Sequence, residues 1–262
     1  MKRDATLKLA PFFVSSVPKS GTHLLQQIVN GIPGANHEMD KWDHKIFKYN
    51  QAWNRSIEEN ERNKFLLLKP GQYAIGHVHY LPEYADLLKK LHFKHIFLYR
   101  DPRDVVLSLS YYIARQWKDH PLHALFNHQV LQPKARMMML LQGVPGIYPE
   151  FMKKFGPCYG WLRDSDCLKI RFEDLISSKA SRRQVIHRIA DFLWQGEMPP
   201  MPKERMVELA IKNINPRTSA TFRKGISGEW RQEADEPLKT IMKQRLGQLL
   251  IETGYEKDLH WE

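Results

Sequence analysis

Three short segments of this chain combine residues suited to gripping an anion. In Pro18-Lys19-Ser20-Gly21-Thr22, a lysine ammonium, two hydroxyls and a glycine follow one another without a gap. Glycine lets the backbone approach a ligand closely, and a loop of this kind at a helix start presents N–H groups to negative charge. It is not the nucleotide-triphosphate loop G-x-x-x-x-G-K-S/T, because the lysine precedes the glycine and the first glycine is missing. The second segment runs from Arg100 to Ser108, with Asp101, Arg103 and Asp104 between them. Arginine suits a phosphate because its planar fork makes two parallel charge-assisted bonds. An Arg–Asp network capping a helix is the structural alternative; Arg103 fits that role, which leaves Arg100 for a ligand. The third segment is Arg223-Lys224-Gly225, followed by Gly228-Glu229-Trp230. Alone, this third segment is a weak signal, since a basic surface loop is common. Together, spread over most of the chain, the three segments imply a ligand with phosphates at both ends.

The elements that must position these residues alternate between strand and helix. Phe12-Phe13-Val14 opens an apolar strand over about 11–17, and a helix follows over about 22–31, so the first loop joins a strand to a helix N-terminus. Residues 32–64 are irregular, polar and aromatic, with Trp42, Phe47, Tyr49 and Trp53, and read as an excursion on the edge of the sheet. A strand over 73–78 leads to a helix from Pro82 to Leu91, and Lys94 to Tyr99 reads as a buried parallel strand. A helix runs from Pro102 towards Trp117, placing Arg100 at a strand mouth and Ser108 two turns into that helix. A further strand covers 168–172, and helices follow near 182–194, 203–212 and 237–253. The fold class is α/β: a single domain over residues 1–262 with a central, mainly parallel sheet flanked by helices, and ligands at the carboxyl ends of the strands.

Composition narrows the classes. With 262 residues and 42% hydrophobic content the chain can bury a full core, and its 29 aromatic residues (12 Phe, 10 Tyr, 7 Trp) argue against disorder. Forty Lys and Arg against 29 Asp and Glu give a net charge of +11, which fits a nucleic acid, an acidic membrane surface or a polyanionic small ligand. No basic block of the kind that marks a nucleic-acid tail is present. No apolar run is long enough for a membrane span or a signal region. Two cysteines, Cys158 and Cys167, are too few for a disulfide framework and are expected to be reduced, in a cytoplasmic protein. The 12 scattered histidines form no H-E-x-x-H pattern, so no metal is expected. The Met137-Met138-Met139 run reads as helix core.

In this order and at these spacings the three segments resemble those of the cytosolic-type sulfotransferases that use 3′-phosphoadenosine 5′-phosphosulfate (PAPS) and release PAP. The likeness spans residues 11 to about 231. It implies a P-loop-like 5′-phosphosulfate loop in which Lys19, Ser20, Gly21, Thr22, His23 and Leu24 contact the 5′ end of the donor. It also implies a 3′-phosphate site of Arg100 and Ser108 with Arg223, Lys224 and Gly225, where this chain matches the family's R-K-G-x-x-G-D/E-W pattern. Phe172 falls where the family has an aromatic residue near the adenine, usually Tyr. Two departures stand out. Many members carry Trp where this chain has His23, and an imidazole has a smaller face for stacking. The family's Lys-Thr-Val-Glu dimerisation motif is not visible after Trp230, so dimerisation by that route is not expected and the oligomeric state stays open.

Sulfuryl transfer requires an acceptor hydroxyl or amine to lose a proton as it attacks sulfur, which general-base help accelerates by ~10²–10⁴-fold. Two histidines, His77 and His79, stand just before the Pro82 helix. On a strand over 73–78 they would share a face, so geometry alone leaves both open. Alignment with the family favours His77. The catalytic set implied is His77, Lys19 and Ser108, with Lys19 placed to stabilise the oxygen bridging phosphate and sulfur. The expected reaction is direct in-line transfer to a small-molecule acceptor (a phenol, alcohol, amine or sugar), with no metal and no nucleic-acid partner. Residues 36–55 and 111–151 are rich in aromatics (Trp42, Phe47, Tyr49, Trp53, Tyr111, Tyr112, Trp117, Phe126, Tyr148 and Phe151), and comparable segments wall the acceptor pocket in the family, although ordinary packing accounts for more than half of them. A P-loop nucleotide-dependent small-molecule kinase is the alternative; it should show G-K-S/T and a magnesium-binding carboxylate, for which only Asp101 and Asp104 offer themselves.

Overall fold

The computed structural model describes residues 9–35, 59–219 and 221–262, which form two compact units. Trp42, Phe47, Tyr49 and Trp53 lie outside the described residues.

The first unit, within residues 1–99 and 160–222, holds a four-stranded, all-parallel sheet. Its strands are β1 (Phe12–Ser16), β2 (Tyr73–Gly76), β3 (Lys94–Tyr99) and β4 (Cys167–Arg171), in the order β2-β1-β3-β4. All five residues of β1 are buried, and its apolar residues Phe12, Phe13 and Val14 accordingly stand side by side rather than alternating with polar ones, before Ser15 and Ser16 close the strand. Register is set by apolar pairing: Val14 lies opposite Ile75 on one side and Ile96 on the other. The chain passes from β1 to β2 on one side and to β3 on the other, so the order reverses at β1. Parallel sheets bind ligands beyond the carboxyl ends of strands at such a reversal.

Helices cover this sheet. In α1 (Thr22–Asn30), Leu25, Ile28 and Val29 recur at three- and four-residue steps and are buried. They join Phe12, Val14 and Ile96 with Ile186 and Ile189 of α9 (Lys179–Trp194) and Val207 of α10 (Lys203–Lys212) in one core. A second, aromatic cluster packs Phe13 against Phe65 of α2 (Glu59–Leu66), 5.4 Å between centroids, and stacks it on His95 at 5.0 Å. Trp161 meets the His95 ring at 4.4 Å and Tyr84 of α3 (Pro82–Lys90) at 6.0 Å. Burial holds His95 neutral down to about pH 3, and its Nε2 lies 2.6 Å from Ser15 Oγ, so this histidine is a core residue.

The second unit, residues 100–159 and 223–262, is helical: α4 (Pro102–Arg115), α5 (His123–Phe126), α6 (Pro133–Gln142), α7 (Phe151–Phe155) and α11 (Glu236–Glu252). Of the methionine run expected to be helix core, Met137 is buried in α6 and Met138 and Met139 are half-buried. Arg103 fixes the start of α4. Its guanidinium is 1% exposed, donates to Asp101 and Glu256, and lies 4.1 Å from the centroid of Trp230 and 4.7 Å from that of Trp261. Asp101 also caps α4 by accepting from the Arg103 N–H at 2.9 Å. The capping network weighed for Arg103 is therefore present.

The structure departs from the sequence expectation at two points that bear on the site. β2 ends at Gly76 rather than 78, so His77 and His79 do not share a strand face. Phe172 does not close β4 but opens α8 (Phe172–Ile176). Short helices such as α5 and α7 give too little periodic signal to be read from sequence. Among the described residues, no helix is long and apolar enough to cross a membrane.

Removing one partner of a buried ion pair typically costs ~3–5 kcal/mol, because the remaining charge stays buried and unpaired. Arg103→Met should therefore lose about that much stability in urea denaturation. Leu125→Ala, at a residue 45% exposed, should change it little.

Candidate active site

The first unit builds an anion loop from β1 and α1. The chain must turn from a buried strand into a helix within residues 17–21, and two left-handed residues make the turn: Lys19 at φ 66° and Gly21 at φ 95°. A left-handed lysine is uncommon and costs about 1–2 kcal/mol, so the surrounding contacts hold it there. Val17 N–H donates to Leu98 O at 3.0 Å, and Ser20 N–H donates to Val17 O at 3.2 Å. Gly21 is required twice over. Beyond its positive φ, a Cβ there would stand 2.5 Å from Cδ2 of Phe172, whose ring packs directly on the loop. Gly21 also caps α1 without a side chain, so no capping side chain occupies the N–H groups of the first turn. Ser20 Oγ is buried and makes no hydrogen bond among the described residues. A hydroxyl in that state costs stability unless a ligand takes it up. The loop thus fits a phosphate-like anion by conformation, by charge and by an unspent donor. Lys19 is half-buried, Thr22 and Leu24 likewise, and His23 is exposed.

His77 stands at the end of β2, beside this loop. Its Nδ1 lies 2.9 Å from the Ser16 backbone oxygen and 3.1 Å from Ser16 Oγ. A carbonyl only accepts, so Nδ1 carries the proton and Nε2 of the neutral ring is the basic nitrogen. His79 is buried at 8% exposure. The two candidates that sequence left on one face are thus distinguished by their surroundings, and His77 has its tautomer fixed from the strand that feeds the loop.

The second unit gathers the other two segments. Arg100 is buried and donates from Nη2 to Ile226 O at 2.8 Å, while its own carbonyl accepts from Tyr159 Oη at 3.0 Å. Asp104, fully buried, accepts from the Gly228 N–H at 2.7 Å and from the Trp230 N–H at 3.2 Å. Burial raises its pKa, against the pull of Arg100 with its guanidinium 3.7 Å away and of those N–H groups. Residues 100–104 and 226–230, remote in sequence, are brought together by these bonds. Arg223 pairs with both oxygens of Glu229 and stacks 4.5 Å from the centroid of Tyr111; Lys224 Nζ lies 2.8 Å from Glu229 Oε1. Burial works against ionisation of Glu229, but the bonds from Arg223 and Lys224 prevail and hold its carboxyl below the usual range. Ser108 is half-buried on α4.

Sequence reasoning missed Ser16, which could have been flagged as a hydroxyl closing an apolar strand; it named Asp104 and Glu229 but not the work they do, Asp104 on the N–H groups of 228 and 230 and Glu229 on Arg223 and Lys224. The expected magnesium carboxylates of the kinase alternative are committed elsewhere: Asp101 to Arg103 and Asp104 to backbone N–H groups.

A family model described as the sulfotransferase domain matches residues 9–254, and the chain belongs to that family. This favours sulfuryl transfer over the kinase alternative and makes the protein an enzyme of the PAPS-dependent sulfotransferase type. Among solved structures, the mouse sulfotransferase SULT7A1 in complex with PAP is similar at a TM-score of 0.59 and 19% identity, over 94% of this chain and 88% of that one. Retinol dehydratase with androsterone and inactive cofactor PAP matches at a TM-score of 0.54 and 19% identity, over 92% of this chain and 80% of that one. Retinol dehydratase with retinol and PAP matches at 0.54 and 18% identity, over 93% and 82%. These likenesses establish the fold. No curated protein matches the chain significantly.

Gly21→Ala should weaken binding of 3′,5′-ADP (PAP) at least tenfold by calorimetry and lower thermal stability. Adding Phe172→Ala should not restore the stability, because it relieves the contact but leaves the positive φ and opens a cavity where a buried core ring stood.

Proposed function

We propose that this enzyme moves a sulfuryl group from PAPS to a hydroxyl or amine of a small-molecule acceptor, with His77 as general base. When bound, PAPS supplies the sulfuryl group and a phosphate leaving group. The residues proposed to hold its 5′ end are Lys19, Ser20, Gly21, Thr22, His23 and Leu24. Arg100, Ser108, Arg223, Lys224 and Gly225 are proposed to hold the 3′-phosphate. Phe172, packed on Gly21, supports the loop and is proposed to lie on the adenine side of it.

The observation that carries this reading is the fixed tautomer of His77 beside a loop shaped for an anion. Nε2 is the atom that accepts the acceptor's proton. The Lys19 ammonium stabilises the charge that develops on the bridging oxygen, the role expected of a preorganised cation. A covalent protein carrier is not required. The two thiols are poor candidates for one: both are buried and free, and burial pushes Cys158 up to about 12 and Cys167 higher still. Free thiols also favour a cytoplasmic setting. That two of the similar structures hold androsterone or retinol supports an acceptor that presents a hydroxyl.

Ligand-induced stabilisation tests the donor. At a hundredfold excess over Kd, PAP should add about 2.7 kcal/mol, an upward Tm shift of about 5–10 °C, whereas ATP with Mg²⁺ should add far less. The opposite ranking would favour the kinase. His77→Ala should lower kcat by ~10²–10⁴-fold with PAP affinity retained. Unchanged turnover would remove His77 from the base role.

A further inference from the structure

Ser16 closes β1 and is 1% exposed, so its hydroxyl must find its partners within the protein. Two are within reach: Thr22 Oγ1 at 2.7 Å and His77 Nδ1 at 3.1 Å. The Ser16 carbonyl, 2.9 Å from Nδ1, decides the direction of the whole set. Because that carbonyl only accepts, Nδ1 is protonated and cannot receive the Ser16 proton. The Ser16 hydroxyl therefore donates to Thr22 Oγ1, the remaining acceptor, and accepts a share of the Nδ1–H. Were Thr22 to donate to Ser16 instead, the buried Ser16 proton would find no acceptor among the described residues. The Thr22 hydroxyl, with its acceptor side taken, has its own proton turned away from Ser16.

We propose that Ser16 is a positioning residue that links the donor loop to the base: the ordered chain His77 Nδ1–H to Ser16 O–H to Thr22 O–H presents a proton to an anion in the loop and, at its other end, keeps Nε2 unprotonated. The inference rests on the reading of His77 as base and of Thr22 as an anion contact. Its consequence is coupling. An anion accepting from Thr22 makes Thr22 Oγ1 a better acceptor, which draws on the Ser16 proton. That in turn strengthens the pull of Ser16 Oγ on the Nδ1–H and raises the electron density at Nε2. Loop occupation thereby readies the base, through two hydroxyls and without movement of the backbone. No bond is made or broken in this step; the protons stay on their atoms, and only the polarisation along the chain changes.

The test is ¹⁵N and ¹H NMR of the His77 ring, assigned by loss of its signals in His77→Gln, with PAP as the probe. In the wild-type protein, Nε2 should report as unprotonated, and saturating PAP should move the Nδ1 proton resonance downfield. Ser16→Ala and Thr22→Val should each abolish most of that movement at saturating PAP. Ser16→Thr, which keeps the hydroxyl, should restore it. Ser20→Ala removes a loop hydroxyl outside the chain and should weaken PAP binding while leaving the movement at saturation intact. In kinetics, Ser16→Ala should lower kcat by roughly tenfold or more, beyond its effect on the KM for PAPS. An equal PAP-induced movement in wild type and Ser16→Ala would overturn the relay, as would an Nε2 found protonated in the neutral ring. Failure of the underlying reading shows separately: it appears as full turnover in His77→Ala, whatever the Ser16 variants do.

Discussion

The constraint on which this structure depends is the sharp passage from β1 into α1. A strand buried at all five residues must become a helix across residues 17–21, with the backbone left-handed at Lys19 and Gly21. That turn does three things at once. It brings Lys19 to the carboxyl end of the central strands, puts a glycine with no capping side chain at the start of α1, and encloses a hydroxyl at Ser20 that no group among the described residues satisfies. The strain at Lys19, about 1–2 kcal/mol, is small beside the apolar burial of β1 and α1 that enforces it. Phe172 closes on Gly21 and leaves no room for a larger residue.

From that turn the geometry of the proposed site follows by short steps. Ser16, the last residue of β1, reaches Thr22 at the start of α1 and the ring of His77 at the end of β2. A single residue thus touches both the loop proposed to bind the donor and the proposed base. The helical unit has its own organising contacts: Arg103 between two carboxylates and two tryptophans, Asp104 on the N–H groups of 228 and 230, and Glu229 holding Arg223 and Lys224. Buried carboxylates here hold cations and loop backbone in place, a use of acidic residues that the net charge of +11 does not suggest.

Much of this was legible in the sequence because it is local. β3 falls at the residues expected, 94–99, since a run of Ile, Phe, Leu and Tyr bounded by charge admits few other readings. The first loop could be read because its chemistry lies in five consecutive residues. What could not be read is long-range. Nothing in the sequence says that Asp104 will accept from Gly228, or that Arg100 will donate to Ile226. Strand geometry left His77 and His79 open and only the likeness to the family favoured His77; in the structure β2 ends at Gly76 and the Ser16 carbonyl lies 2.9 Å from His77 Nδ1. Phe172 was expected on the strand because an aromatic after Ile170 and Arg171 extends the pattern; in the structure it opens α8 with its ring packed on Gly21.

The central claim is that a loop built on β1 and a base fixed by Ser16 perform sulfuryl transfer. The most direct measurement is transfer of isotopically labelled sulfur from PAPS across a panel of phenols, alcohols, amines and sugars. The account predicts label on at least one small-molecule acceptor, lost when Lys19 or His77 is replaced. Label that reaches no acceptor, or that reaches one equally well without His77, would contradict it.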